Sequence, residues 1–179
     1  MLPHTLISLL GFASLALTQL ANINFYNTDD VCRSGLFDGC VNLPPNVCCF
    51  LQPNQLATCM DFASSNNRGI ATAFSSQSGN QCAIVIEQLQ SGVCVCPTGT
   101  PIISGGSWRT TSIRKRDNDE EEPCEEKMET NVFGWSENDS TWTVHKDDDA
   151  TYTNVAQAIA NGTSKSDIGK YIKQHGQKA

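Results

Sequence analysis

The chain has 179 residues, with 19 acidic residues against 12 Lys and Arg and a formal net charge of −7. That balance excludes general nucleic-acid binding, which needs a surplus of cations for phosphate. Nine cysteines against three histidines point to disulfide bonds and an oxidising compartment rather than to a cytosolic enzyme.

In chain order, the first feature is the apolar run Leu6 to Leu17, LISLLGFASLAL. It is too short to span a bilayer comfortably and suits the core of a signal peptide. Ala16-Leu17-Thr18 places the cut before Gln19, and Ala21 offers a later one, so residues 1–18 are assigned as a signal peptide. The leading MLPHT departs from the usual pattern in having no Lys or Arg. No later run is apolar over the length of a membrane span, and the polar KQHGQKA ending fits neither a GPI signal nor an ER-retention signal. The expectation is a secreted, extracellular protein without a transmembrane segment.

Residues 19–111 read as a disulfide-rich β domain. Cys32, Cys40, Cys48, Cys49, Cys59, Cys82, Cys94 and Cys96 lie within it. An even set in a short secreted region is a disulfide framework whose connectivity sequence alone does not choose. Adjacent cysteines fit the bridge geometry poorly, so Cys48 is not expected to pair with Cys49, and the same strain argues against Cys94 with Cys96. A small domain rich in Ser, Asn, Gly and Thr buries too little apolar surface to be stable unaided. Each bridge adds on the order of 2–4 kcal/mol by restricting the unfolded chain. A zinc site is not expected, because no histidine falls inside the framework and no CxxC pair is present.

The elements predicted there are short. Ile23 to Tyr26 alternates like a strand, and Asn27 to Asp30 supplies turn chemistry. Asn42 to Asn46 is a loop around two prolines. Arg68 to Phe74 is strand-like, followed by a polar turn over Ser75 to Asn80. Cys82 to Leu89, the strongest apolar run, predicts a buried strand, although its length also admits a short helix. Gly92 to Cys96 is a further strand, and Ile102-Ile103 with Gly105 to Trp108 a closing strand and turn. Short strands at regular spacing indicate a small sandwich or Greek-key-like barrel.

These residues carry a resemblance. The Phe25-Tyr26 opening strand, the Cys48-Cys49 doublet, the ATAF strand and the closing Gly-Gly-Ser-Trp resemble the small secreted cysteine-rich proteins of fungi. Tyr26 with the following turn and Gly35 is also loosely similar to the opening of a βγ-crystallin Greek key. The calcium signature of that fold is not clearly present, and Asp29-Asp30 reads as an ordinary solvated turn. The single doublet departs from the hydrophobins, which carry two. The resemblance implies an extracellular protein that acts by surface recognition.

At Arg114-Lys115-Arg116 the composition changes abruptly, and Asp117 to Pro123 is almost wholly acidic. A basic triplet in a polar stretch of a secreted chain is similar to a kexin-type processing site, with the cut after Arg116. Exposed, extended segments are where cleavage concentrates. Residues 112–130 are therefore assigned as a linker, with Asp117 to Glu129 too acidic to fold alone. Cys124 lies in it without an evident partner. An odd cysteine in a secreted chain signals an interchain bond, hence a disulfide-linked dimer, or a free thiol. It also leaves room for a tie to the first domain that frees another cysteine. Its acidic neighbours disfavour a reactive thiolate.

Residues 131–179 predict two short strands, Val132 to Trp135 and Trp142 to Val144, turned at Asn138-Asp139-Ser140. Two short helices follow, over Asn154 to Ala160 capped by Thr153 and over Asp167 to Gln174 capped by Ser166. Val155, Ile159, Ile168, Tyr171 and Ile172 form their apolar face. The region is a small α/β piece or a partly disordered tail. Asn138 and Asn161 fit the glycosylation acceptor pattern.

No catalytic set emerges. His145 beside Asp147-Asp148-Asp149 and His175 both lie in the tail, and Asp38, Asp61 and Glu87 stand in no motif. The sequence thus predicts a non-enzymatic secreted protein with no cofactor or metal. Its partners are an extracellular protein or glycan and a processing protease, and not nucleic acid. Two further uses fit the same sequence: a toxin or antimicrobial protein, or a carrier for a released C-terminal peptide. The negative charge argues against direct binding to anionic membranes.

Overall fold

The computed structural model describes residues 19–27, 32, 34–53, 55–99, 102–110, 124 and 126–179. Residues 1–18, read above as a signal peptide, Asp29-Asp30 and Arg114-Lys115-Arg116 lie outside them. The described chain is mostly β, in two sheets with two C-terminal helices.

The first sheet begins with β1 (Ala21–Tyr26), flanked by β2 (Gly35–Leu43) and β4 (Cys59–Ser64), both antiparallel to it. β7 (Val93–Val95) closes one edge against β4. β10 (Val132–Glu137) pairs with the far side of β2, followed outward by β11 (Ser140–His145) and the short β12 (Gln177–Lys178). The second sheet is ordered β6 (Asn80–Gln90), β5 (Ile70–Gln77), β8 (Gly105–Arg109), β3 (Val47–Phe50) and β9 (Glu126–Glu129). All its pairs are antiparallel except β3 with β9.

Alternation along β1 sends Ala21, Ile23 and Phe25 to one face, where they meet Met60 and Phe62 of β4 and Ala71, Ala73 and Trp108 of the second sheet. The Phe62 and Trp108 rings lie 5.8 Å apart. The Trp108 indole N–H donates to the Leu43 carbonyl at 2.9 Å, so this fully buried ring leaves no orphan donor. The second sheet covers only part of that face. Beyond Leu36 it is covered by α1 (Asp149–Ala160) and α2 (Lys165–His175), whose Val155, Ile168 and Ile172 pack with Phe133 and Val144.

Several expectations are corrected. Gly105 and Gly106, read as a turn, open β8. A Cβ at Gly105 would sit 2.6 Å from Cys82 Sγ, and one at Gly106 2.7 Å from Met60 Sδ, so the glycines allow close approach of strands rather than a bend. The run Cys82 to Leu89 is a strand but not a buried one. β6 is an edge, and Ile84 and Val85 are exposed. β2, β3 and β4 have no predicted counterpart, and β2 runs through Asn42 up to Leu43. Both helices start earlier than predicted. Asp148 rather than Thr153 precedes α1, and Ser164 rather than Ser166 caps α2. Ser164 accepts from the Asp167 N–H at 3.2 Å while its hydroxyl donates to the Asp167 carboxylate at 2.7 Å. This exchange resembles a capping box and fixes the start of α2. The predicted apolar face of the two helices is the one that packs.

The acidic linker ends sooner than expected. Glu126 to Glu129 forms β9, pairing Glu126 with Val47 and Glu129 with Phe50. Met128 packs against the main core. Asn131 then clips the chain to β2: its Oδ1 accepts from the Val41 N–H at 2.9 Å and its backbone N–H donates to the Gly39 carbonyl at 2.8 Å. The charge that argues against folding in isolation is offset by pairing with a strand that already exists.

Candidate functional site

The bridges are Cys32–Cys94, Cys40–Cys49, Cys48–Cys82 and Cys59–Cys96. Cys48 does not pair with Cys49, nor Cys94 with Cys96, as the geometry argued. Cys40 lies on β2 and Cys49 on β3, so their bond joins the two sheets. Cys48–Cys82 ties β3 to the edge strand β6 across the space left open at Gly105. The other two fasten the segment after β1, β4 and β7 on the opposite face of the first sheet. There Cys94 Sγ and Cys96 Sγ approach to 3.8 Å. Cys32, Cys94 and Cys96 thus bring three sulfurs together, but all three are consumed in disulfides and offer no thiolate to a metal. Cys124 is left over, half-buried and unpaired, two residues before β9.

On that same face Asp61 accepts from the Tyr26 hydroxyl at 2.9 Å and from the Asn24 amide at 3.0 Å. Burial pushes the Asp61 carboxyl up to about 6, although both hydrogen bonds act to lower it. Burial, with the adjacent Asp61 charge, also raises the Tyr26 phenol well above its ordinary value. The group is a satisfied polar cluster beneath the Cys32–Cys94 and Cys59–Cys96 bridges.

The opposite face has a cleft. It forms where the second sheet stops covering β2 and the helices begin. About 290 Å³ in volume, it is lined by the apolar Phe25, Leu36, Leu51, Leu56, Ile159 and Ile168 and by the polar Asn27, Gln55, Thr163 and Lys165. Lys165 of α2 donates to the Asn27 carbonyl at the end of β1, which joins the helical layer to the sheet. Asp38 of β2 also lines the cleft. Its register explains the position: it stands opposite Phe25 on one side and Phe133 on the other, in a row of core residues. The residue retains some exposed surface, yet its Oδ1 is buried and has no hydrogen-bond partner among the described residues. Burial pushes the carboxyl up to about 7. A buried, unpaired acceptor costs about 1–3 kcal/mol, more when charged. Asp38 also acts electrostatically on Tyr152 of α1, whose phenol is raised to about 12, chiefly by burial. Asp38 stands in no motif, and its inward place follows only from the pairing of β2 with β1 and β10.

His145 ends β11, with its Nε2 3.2 Å from Thr143 Oγ1, a contact between residues two apart on one strand face. His175 is exposed and lies against Tyr171, with 4.4 Å between ring centres. Among the described residues no carboxylate orients either ring, and no nucleophile–base–carboxylate arrangement is assembled. The Asp147-Asp148-Asp149 run is exposed at the start of α1, where negative charge suits the helix dipole. Asn138 and Asn161 are both exposed, in the β10–β11 turn and just after α1, which meets the steric requirement of a glycosylation acceptor. No helix among the described residues is long and apolar enough to cross a membrane.

With this geometry in place, the chain is compared with known families: the model of a fungal-type family described as ARB_05566_N, N-terminal domain, matches residues 22–131. No curated protein and no solved structure matches the chain, and the crystallin-like resemblance gains no support from either comparison.

Proposed function

Since the chain belongs to the ARB_05566_N N-terminal domain family, we propose that it is a secreted, non-enzymatic, cysteine-rich protein that acts outside the cell by surface recognition, effector-like or associated with the cell wall. The observation that carries this reading is the set of four bridges, which tie β2, β3, β4, β6 and β7 together and require an oxidising compartment to form. The partner is an extracellular protein or glycan. Exposed turns at Asn138 and Asn161 suit glycosylation, and Cys124, outside the four bridges, is available for an interchain bond.

The carrier reading is disfavoured by the place of β10. A tail built to be released would not supply a strand between β2 and β11. Cleavage after Arg116 is kept within the proposal as a nick that leaves the C-terminal piece paired with the first domain through β9 and β10.

Intact-mass and non-reducing peptide mapping of protein from culture medium tests the secreted state. The expected result is a chain starting near Gln19 with the four bridges above. Cysteines recovered reduced, in a chain retained inside the cell, would overturn it. Surface recognition is then tested with the labelled intact protein on fungal walls and on host cells. Saturable retention is expected, whereas vesicle leakage without retention would favour the toxin reading.

A further inference from the structure

The cleft between β2 and the helical layer has a chemistry that the proposed recognition role does not use. Its walls are apolar, and Leu56 keeps 46% of its surface exposed at one side, so an apolar body entering the cleft removes hydrophobic area from water. The buried Asp38 Oδ1 has no partner among the described residues. Among the described residues no group neutralises this carboxyl, so a donor entering the cleft beside it meets an acceptor with unused capacity. Lys165, the charged neighbour on α2, already donates to the Asn27 carbonyl. Tyr152, facing Asp38 from α1, donates to the Thr130 carbonyl at 2.9 Å. Neither is directed to Asp38. The strongest donor to a buried carboxylate is a cation, and the charge of −7 favours the approach of one.

We propose that this cleft binds a small apolar primary amine, an alkylamine or arylalkylamine, whose ammonium group pairs with the carboxylate of Asp38 at the cleft wall while its hydrocarbon part lies against Leu36, Leu56, Ile159 and Ile168. A pocket with few polar groups and one placed acceptor fixes orientation through that acceptor and affinity through the walls. The cleft is at the small end of ligand sites, which suits a single-ring or short-chain amine rather than a peptide.

The test is titration of the purified full chain with 2-phenylethylamine and its neutral counterpart 2-phenylethanol at pH 8, followed by calorimetry and by amide shifts in NMR spectra. The amine is expected to bind at least tenfold more tightly than the alcohol, with the largest shifts around Asp38, Leu56 and Ile159. Asp38→Asn is expected to lose at least tenfold for the amine and to leave the alcohol unchanged. Ile159→Trp, at a half-buried wall position, retains the carboxyl and is expected to lose both ligands. This second variant decides the matter if Asp38→Asn does not fold. Equal binding of amine and alcohol, unaltered amine binding by Asp38→Asn, or no binding of the amine up to about 10 mM would each overturn the proposal. None of these results bears on secretion or on retention at a surface, which are read from the intact protein without the amine.

Discussion

At the scale of residues, two carboxyls set the pH response of the fold. Asp38 and Asp61 are both raised by burial, to about 7 and about 6. A carboxyl raised in the folded state holds its proton more tightly there than in the unfolded chain. Its stabilising share is fully present below the unfolded value near 4, and is lost as pH rises through the folded value. The protein is therefore expected to melt at a higher temperature at pH 4.5 than at pH 8. The Asp38 share is on the order of 2–4 kcal/mol, the lower figure allowing for the surface the residue retains. Asp38→Asn should remove that share of the slope in thermal melts across the range and leave the Asp61 share. Opposing ion pairs exist: Glu137 with Lys173 and Asp167 with Lys170 lower their carboxyls. They are largely exposed, so their loss below about pH 4 contributes little. A melting temperature that rises from pH 4.5 to pH 8 would contradict the burial of both carboxyls.

At the scale of elements, α2 depends on one cap and one close approach. Ser164→Ala removes the acceptor for the Asp167 N–H and is expected to cost about 1 kcal/mol in denaturant unfolding. Gly169 is tighter still. A Cβ there would lie 2.4 Å from the Trp135 ring, which is itself held between β2 and β11. Gly169→Ala is expected to cost roughly 1–3 kcal/mol by forcing the helix off the sheet, and to quench or shift Trp135 fluorescence while the four bridges remain intact. An unchanged spectrum and unchanged stability would mean that α2 does not pack as described. The edge strand β6 behaves in the opposite way. Ile84 and Val85 are exposed on it, so Val85→Lys is expected to alter stability by no more than about 0.5 kcal/mol, and it reduces the chance of edge-to-edge association.

At the scale of the whole molecule, the chain from β9 onward is structural. β9 lies beside β3, β10 beside β2, and the Asn131 amide is bonded to Val41 on both sides, at 2.9 and 3.3 Å. A chain cut after Arg116 is therefore expected to remain a two-piece protein of unchanged native mass, with the pieces separating only in denaturant. Size-exclusion and native mass spectrometry before and after treatment with a protease for basic pairs give the readout. Release of the C-terminal piece in plain buffer would restore the carrier reading. Held this way, the second piece also keeps the cleft closed on its helical side, since Ile159 and Ile168 are two of its walls.

What the sequence by itself determined is local and covalent. Cysteine adjacency argued against bonds within Cys48-Cys49 and between Cys94 and Cys96; alternation identified β1 and β7, and strand-like composition β5, β10 and β11; the apolar spacing of Val155, Ile168 and Ile172 identified the packing face of the helices. These follow from short-range geometry, which any stretch of chain carries with it. The tertiary structure decided what depends on neighbours distant in sequence. Glycines read as a turn became β8 because Met60 and Cys82 occupy the space a side chain would need. The acidic Glu126 to Glu129 became a strand because β3 supplied a partner. Four bridges were selected from many pairings by which strands the two sheets bring together. Asp38 acquired its buried, unpaired oxygen only when the helical layer met the sheet beside it, since burial is a property of surroundings rather than of sequence position.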